Sequence, residues 1–156
     1  MVQNSAFKLK KKIKIAVIGG GHDSTISKTH LRSILASNKF EITCGCFTKK
    51  KKKKKKNPNF FFFLKKKKKK NKNSQFYLLP KEKIYNDLNE LITSEYKNID
   101  LALVLTPPNN RLDIYYELAK KKIGIIAEKP FAANLKEAKI IYKFIKKKKN
   151  IFLKHL

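Results

Sequence analysis

The sequence predicts an α/β fold in which helices cover both faces of a doubly wound, parallel sheet. Short apolar runs of strand length alternate with longer segments whose apolar residues recur at helical spacing, and this alternation is typical of parallel sheets. The first apolar run, Ile13–Ile18, leads directly into Gly19-Gly20-Gly21, and an amphipathic segment then extends from Ser24 to about Ala36. A strand, a glycine turn and a helix in this order present backbone N–H groups to a phosphate.

The later elements continue the same alternation. Phe40–Phe47 is predicted as the second strand, with Ile42, Cys44 and Cys46 on one face. The remaining pattern predicts a short strand at Ile84-Tyr85, a helix over Asp87–Tyr96 capped by Asn86 or Asp87, a buried strand at Asp100–Thr106, a helix over Asn110–Lys121, a strand at Ile123–Ala127, and a helix that Asn134 caps and that ends near Lys146. Ligands of such sheets bind beyond the carboxyl ends of the strands.

The charge of the chain is concentrated in lysine runs. The 156 residues carry a formal net charge of +28, but Lys49–Lys56, Lys65–Lys70 and Lys72 contribute fifteen of the positive charges. The other 24 basic and 11 acidic residues leave a formal charge of +13. We therefore predict one domain over residues 13–149, preceded by a basic leader at 1–12, interrupted by a low-complexity Lys/Phe insertion at 49–73, and followed by a tail at 150–156.

The insertion allows two interpretations. It is either a hairpin that binds polyanions or touches a membrane, or a low-complexity loop that replaces the helix between the second and third strands. We favour the loop, because blocks of like charge repel and are usually solvated. Homopolymer A and T tracts encode such runs and are prone to reading errors. A further hypothesis is therefore that the residues after Asn150, which follow Lys146–Lys149, are out of frame.

Cysteine content and hydropathy indicate a reduced, cytoplasmic protein. Cys44 and Cys46 are the only cysteines, and no second pair of Cys or His residues lies close enough in sequence to complete a zinc site. We expect two core thiols and no metal. The apolar run Ile15–Ile18 is too short for a signal peptide, and no segment reaches the length of a membrane span.

Three predicted strand ends carry distinctive residues: Gly19-Gly20-Gly21-His22-Asp23-Ser24-Thr25-Ile26, Thr106-Pro107 and Glu128-Lys129-Pro130. In this order and spacing they resemble the Gfo/Idh/MocA family of NAD(P)-dependent oxidoreductases. The resemblance covers about Ile13 to Lys146 without the insertion, and it implies a Rossmann-type cofactor domain. The most specific part runs from Thr106-Pro107 to Glu128-Lys129-Pro130, because the intervening helix and strand keep the family's spacing.

The resemblance implies a role for each matching position. The glycine turn would hold the pyrophosphate, Thr106 and Pro107 would line the cofactor crevice, and Glu128 would lie against the nicotinamide ribose. Lys129 would be the catalytic residue, polarising a substrate hydroxyl or carbonyl during hydride transfer. The expected cofactor is NAD or NADP, and the expected cofactor-binding residues are Gly19, Gly20, Gly21, His22, Asp23, Ser24, Ile26, Thr48, Thr106, Pro107, Glu128, Lys129 and Pro130.

Several positions depart from the family pattern. Ser24 occupies the third glycine position, Ser27 a position that is often glycine, Pro108 the usual Asn of Thr-Pro-Asn, and Arg111 a position where His is common. The second strand also lacks the acidic residue that grips the ribose hydroxyls of NAD. The hydroxyl of Thr48 beside a lysine is instead suited to a 2′-phosphate, which leaves NAD and NADP both open.

Family members carry a second, mostly antiparallel domain that binds substrate, and we expect this C-terminal α+β domain to be absent after Leu156. The predicted function is therefore the NAD(P)-binding domain of an oxidoreductase for a sugar-like substrate, inactive as this fragment and not expected to oligomerise. The alternatives are a basic module that binds nucleic acid or another polyanion non-specifically, and a non-catalytic nucleotide-binding domain. The expected partner is the dinucleotide, with a sugar-like substrate only in a longer form and no membrane.

Overall fold

The structure, a computed structural model, describes residues 11–47, 72–147 and 153–155. Its centre is a parallel sheet of six strands in the order β3-β2-β1-β4-β5-β6. The strands are β1 (Ile13–Gly19), β2 (Phe40–Cys46), β3 (Ile84–Tyr85), β4 (Leu101–Leu105), β5 (Gly124–Ala127) and β6 (Leu153–His155). The predicted doubly wound, parallel α/β fold is confirmed.

The helices are α1 (Thr25–Ser37), α2 (Lys72–Phe76), α3 (Leu88–Glu95), α4 (Arg111–Lys120) and α5 (Leu135–Lys147). Side-chain caps explain several of their starts. Ser24 Oγ accepts from the Ser27 N–H at the start of α1, and Asp87 Oδ1 accepts from two N–H groups of α3 at 2.9 and 3.1 Å. Of the two predicted candidates for the cap of α3, Asn86 and Asp87, the structure has Asp87. The predicted cap Asn134 is confirmed by a 2.9 Å bond from the Glu137 N–H.

Two apolar layers flank the sheet. On one face, the interiors of α3, α4 and α5 pack against alternate strand residues such as Ala16 and Val104. On the other face, α1 and the segment after α2 cover Ile15, Val17 and Leu103. Helices on both faces require the central strands to be apolar on both sides, which is why the β1 and β4 sequences are nearly continuous apolar runs.

The chain reverses its winding direction at the centre of the sheet. From β1 it winds outward through β2 to β3, and it then returns to place β4 on the other side of β1. Crossovers that leave in opposite directions open a crevice at the carboxyl ends of these two neighbouring strands. The Gly19-Gly20-Gly21 loop and Thr106 lie at this position, since they directly follow β1 and β4.

The prediction for the faces of β2 is wrong at Ile42. The pairing of β1 with β2 shifts between Ile15 and Ala16, so that Ile42 pairs with Ile15 but Cys44 pairs with Ala16. This irregularity places Ile42 in the α1 layer, whereas Cys44 and Cys46 lie buried as free thiols in the opposite layer. One extra residue in a strand reverses the side-chain alternation beyond it.

Two elements occur where none was predicted. Helix α2 begins within the 49–73 segment, and β6 lies in the 150–156 tail, where its backbone pairs with Ile125–Ala127 of β5. Residues 1–10 of the predicted leader at 1–12 lie outside the described residues, as do the predicted cofactor residue Thr48 and most of the lysine and phenylalanine runs.

The described ranges contain neither a membrane-spanning helix nor a metal-binding cluster. No helix there is long and apolar enough to cross a membrane. Nor do His, Cys, Asp or Glu side chains in those ranges form a group of three that could hold a metal ion.

A buried carboxylate ties α3 to the edge of the sheet. Glu95 is 4% exposed, and its Oε1 accepts from the Lys83 ammonium at 2.6 Å and from the Tyr85 hydroxyl at 2.7 Å. Burial alone would raise the pKa of Glu95, but these hydrogen bonds outweigh burial and lower the pKa from its ordinary 4.5. Burial and the same carboxylate raise the pKa of Tyr85 to about 12.

We predict that Glu95 makes folding stability sensitive to acid. Because its pKa is lowered in the folded protein, the ionised carboxylate stabilises the fold above its unfolded-state pKa, and this contribution is lost as the pH falls through the folded-state value. Glu95→Gln should therefore lower the free energy of unfolding by about 1–2 kcal/mol near pH 7 and by much less near pH 3. Urea unfolding at both pH values measures this, with the exposed Glu90→Gln as the control. An equal loss at both pH values would contradict it.

Candidate functional site

The glycine loop after β1 has a backbone that other residues do not readily adopt. Gly19 and Gly20 have φ values of 79° and 62°. A Cβ on Gly20 would also lie 2.4 Å from Ser27 Oγ and 2.6 Å from Leu105 Cδ1. Both the left-handed backbone and the close approach of α1 and β4 therefore require glycine here.

Two hydroxyl groups hold this loop at the Gly20 carbonyl. Ser27 Oγ donates to the carbonyl oxygen at 2.6 Å from the first turn of α1, and Tyr77 Oη donates to the same oxygen from the segment after α2. Ser27 is fully buried, so the serine that replaces a common glycine has a structural function in this chain. Burial raises the pKa of Tyr77, which keeps the phenol protonated as a donor.

Aromatic packing places Tyr77. Its ring stacks on Phe47 at a centroid distance of 5.0 Å, and Phe76 contacts it edge-on at 4.7 Å. Phe47 follows β2, and its ring crosses Gly45, where a Cβ would lie 2.4 Å from the ring. Gly45 thus makes room for Phe47, and Phe47 in turn positions the hydroxyl that holds the loop.

Asn73 of α2 covers the next part of the loop. Its Oδ1 accepts from the His22 N–H at 2.9 Å and lies 3.2 Å from His22 Nδ1. The residues just after the lysine segment therefore contact the turn that the sequence assigns to the pyrophosphate, although 51 positions separate His22 from Asn73.

A cleft of about 550 Å³ opens over the loop, within the range of small-molecule sites. Its lining comprises Gly19, Gly20, Gly21, His22, Asp23, Phe47, Asn73, Leu105, Thr106, Pro107 and Asn110. Thr106 lines this cleft, and its Oγ1 is buried without a hydrogen-bond partner among the described residues. Buried hydroxyls are rarely left unpaired, so Thr106 is suited to a polar group of a ligand.

Arg111 joins the ends of β4 and β5. It is 3% exposed, and its Nε donates to the Thr106 carbonyl at 2.8 Å while its Nη1 donates to the carbonyls of Glu128 and Pro130. The planar guanidinium has several donors in a fixed arrangement, and it can therefore serve acceptors on two strands at once. The arginine that replaces the family's common histidine is thus part of the framework of the site.

The side chains at the end of β5 have different environments. Glu128 Oε1 lies 2.6 Å from His30 Nε2 of α1, and the two side chains are 17% and 14% exposed. Lys129 is exposed, and it forms no salt bridge within the described ranges. The predicted catalytic ammonium is therefore accessible, whereas the neighbouring carboxylate is held by the first helix.

The structure brings most of the sequence-predicted site residues to one edge of the sheet. The loop residues Gly19 to Asp23 line the cleft with Thr106 and Pro107, whereas Glu128, Lys129 and Pro130 follow the strand beyond β4. Since neighbouring strands lie about 4.8 Å apart, the ends of β1 and β5 are separated by about 10 Å. Ser24 caps α1, and Ile26 is 45% exposed on that helix.

Sequence reasoning missed five residues at this edge: Phe47, Asn73 and Tyr77 at the cleft, and His30 and Arg111 around Glu128. Asn73 lies in the segment that the sequence analysis assigns to the insertion. Only Arg111 gave a sequence signal, since it was recognised as a departure from the family pattern.

These features together define a dinucleotide-binding domain of the doubly wound type. The cleft lies at the switch point of the sheet, beside the glycine loop and the N-terminus of a 13-residue helix, whose dipole favours phosphate. The unpaired hydroxyl of Thr106 is a further polar group beside the loop. The residues present thus fit a dinucleotide, with the loop and Thr106 as the groups that would hold it.

The family assignment from the sequence is confirmed. A model of the Gfo/Idh/MocA oxidoreductase family, with an NAD-binding Rossmann fold, matches residues 13–155, and the chain belongs to this family. The match includes residues after Asn150, which the reading-frame hypothesis placed outside the domain. No curated protein sequence matches the chain.

Solved structures share the fold. An oxidoreductase from Sinorhizobium meliloti matches 92% of this chain and 37% of its own at 21% identity, with a TM-score of 0.71. An inositol dehydrogenase homolog from Azotobacter vinelandii, complexed with NADH and myo-inositol, matches 93% and 35% at 20% identity, with a TM-score of 0.68. An Agrobacterium radiobacter oxidoreductase in complex with NAD⁺, L-tartaric acid and magnesium matches 93% and 35% at 18% identity, also with a TM-score of 0.68. The chain thus spans little more than a third of their length.

We predict that Arg111 is required for stability of the strand ends. Arg111→Leu should lower the free energy of unfolding by about 2–3 kcal/mol, because it leaves buried main-chain carbonyls without donors. Urea unfolding measures this loss, and Arg32→Leu on the exposed side of α1 is the matched control. Arg111→Lys should recover only part of the loss, since one ammonium cannot reproduce the guanidinium geometry. Equal stabilities of Arg111→Leu and Arg32→Leu would contradict the assignment.

Proposed function

We propose that this chain is the NAD(P)-binding domain of an oxidoreductase that transfers hydride to or from a hydroxyl or carbonyl group of a sugar-like substrate. The main support is the position of three strand ends at one edge of the sheet. The glycine loop, Thr106 and Glu128-Lys129 follow β1, β4 and β5, which are neighbours in that order. A bound dinucleotide that extends from the loop toward β5 would contact all three.

The loop binds and orients the cofactor in this proposal. The pyrophosphate would lie against the Gly21 N–H and the first turn of α1, where the positive end of the helix dipole favours negative charge. The His22 N–H is already bonded to Asn73. Thr106 and Pro107 line the crevice, and the Glu128 carboxylate accepts hydrogen bonds from the nicotinamide ribose. When bound, the nicotinamide ring donates or accepts the hydride.

Lys129 is the proposed catalytic residue. Lys129 follows Glu128 in the sequence. Its ammonium stabilises the negative charge that develops on the substrate oxygen during hydride transfer. The described residues leave Lys129 exposed, and water weakens such an interaction. We therefore expect the 156-residue chain by itself to bind the dinucleotide and to give no measurable turnover.

The substrate class rests on analogy. One of the similar structures carries myo-inositol, a cyclic polyol, and another carries L-tartaric acid. Both molecules present secondary hydroxyl groups, which become carbonyls when the carbon loses a hydride and the oxygen loses its proton. The ammonium of Lys129 could stabilise charge on one oxygen of a polyhydroxylated substrate. Other residues that contact the substrate directly would determine which polyol binds.

NADH titration tests the proposed function against its alternatives. We expect saturable quenching or enhancement of NADH fluorescence that changes little between 50 and 300 mM salt, a range over which attachment through lysine runs to a DNA oligomer should weaken by orders of magnitude. Binding of the oligomer alone would favour the polyanion-binding alternative. Hydride transfer to a sugar or polyol by a longer form of the protein separates the oxidoreductase from a non-catalytic nucleotide-binding domain.

We predict that Gly21→Ala separates cofactor binding from folding. A Cβ at Gly21 meets its nearest atoms, Asn73 Oδ1 and Asp23 Oδ1, at an ordinary 3.4 Å, so the fold tolerates it. The added methyl nevertheless keeps the pyrophosphate from the backbone and should raise the Kd for NADH at least about 10-fold. Fluorescence titration and thermal unfolding measure the two effects. Gly20→Ala, whose Cβ meets Ser27, should instead lower stability. Unchanged affinity in Gly21→Ala would contradict pyrophosphate binding at this loop.

We also predict a charge effect at Asn73. Asn73→Asp retains an oxygen that accepts from the His22 N–H but adds a negative charge next to the proposed pyrophosphate site. The Kd for NADH should rise about 5- to 10-fold at low salt and by less at 300 mM salt, because salt screens the repulsion. Asn73→Ala is the uncharged control. An equal loss of affinity in both variants at both salt concentrations would show that charge is not the cause.

A further inference from the structure

His30 and Glu128 form a contact between the first helix and the fifth strand. We propose that His30 is a positioning residue that orients the Glu128 carboxylate toward the nicotinamide ribose of the cofactor. This inference rests on the proposed function, because it takes the ribose contact of Glu128 from there. It adds a residue that neither the glycine turn nor the Glu128-Lys129-Pro130 motif contains, since His30 lies on the second turn of α1.

The direction of the hydrogen bond follows from the chemistry of the two groups. An ionised carboxylate only accepts, so the 2.6 Å contact requires His30 Nε2 to carry the proton and donate to Glu128 Oε1. The side chains are 14% and 17% exposed, and water therefore competes weakly for either partner. The pair thus holds one defined orientation of the carboxylate.

The backbone of Glu128 is fixed independently of His30. Its N–H donates to the Val104 carbonyl at 3.3 Å, and its own carbonyl accepts from Arg111. The remaining freedom of Glu128 lies in its side-chain torsions. His30 is the residue of the described chain that restrains them, since the carboxylate has no other hydrogen-bond partner there.

The pair leaves one acceptor for a ligand. Oε1 is occupied by His30, whereas Oε2 has no hydrogen-bond partner among the described residues. A ribose offers hydroxyl donors, and a carboxylate oxygen is the acceptor that such hydroxyls commonly contact in nucleotide sites. Loss of His30 would allow the carboxylate to rotate, and the ribose contact would then require ordering of the side chain on binding.

The test compares a ligand that reaches Glu128 with one that does not. NADH contains the nicotinamide ribose, whereas ADP contains only the adenosine half and its phosphates. His30→Leu should raise the Kd for NADH about 5-fold, the value of one hydrogen bond, and leave the Kd for ADP within about 2-fold. His30→Gln keeps an N–H donor and should restore part of the NADH affinity. Ser33→Ala, on the same helix and without contact to Glu128, is the control, and thermal unfolding verifies that each variant is folded.

A double-mutant cycle decides whether His30 acts through Glu128. In a Glu128→Gln background, His30→Leu should have almost no further effect on NADH affinity, because the oriented carboxylate is already absent. An undiminished effect in that background would overturn the proposal, as would equal losses of NADH and ADP affinity or no loss of either. Failure of the unaltered chain to bind NADH would instead refute the proposed function.

Discussion

The arrangement of the site depends on hydrogen bonds to main-chain carbonyl groups at the carboxyl ends of the strands. Parallel strands leave such carbonyls unpaired where the ladder ends, and burial makes an unpaired carbonyl unfavourable. In this chain Ser27 and Tyr77 donate to Gly20 after β1, and Arg111 donates to residues that follow β4 and β5. The same groups that satisfy the backbone therefore fix the distances among the glycine loop, Thr106 and Glu128.

These hydrogen bonds to main-chain carbonyls explain two departures from the family pattern. Ser27 replaces a glycine and supplies a donor to the loop, and Arg111 replaces a histidine and contacts two strand ends. Each replacement adds hydrogen-bond donors at the edge where the cofactor is proposed to lie. In this chain, side chains that depart from the family pattern therefore support the glycine loop and the strand ends.

The polar groups at this edge differ in how firmly they are held. Glu128 is restrained by His30, and the loop is restrained by hydrogen bonds from α1 and from the segment after α2, whereas Lys129 is exposed. A rigid acceptor and a rigid loop suit cofactor binding, which benefits from preorganised groups. An exposed ammonium suits a step that begins only when the site is covered, because Coulomb interactions strengthen as water is excluded. The groups proposed to bind the cofactor are therefore held more firmly than the ammonium proposed for catalysis.

The sequence by itself determined the order of β1 to β5 and of the four longer helices, the glycine loop, the Asn134 cap, two candidates for the cap of α3, and the family. Periodicity, capping residues and glycines act within a few residues, so their consequences can be read locally. It gave no indication of the irregularity that moves Ile42 to the α1 layer, of α2 or of β6. Nor did it indicate that Tyr77 and Asn73 hold the loop or that His30 meets Glu128. Only the tertiary structure decided these contacts, because they join residues 51 to 98 positions apart and depend on how layers pack, which no local pattern encodes.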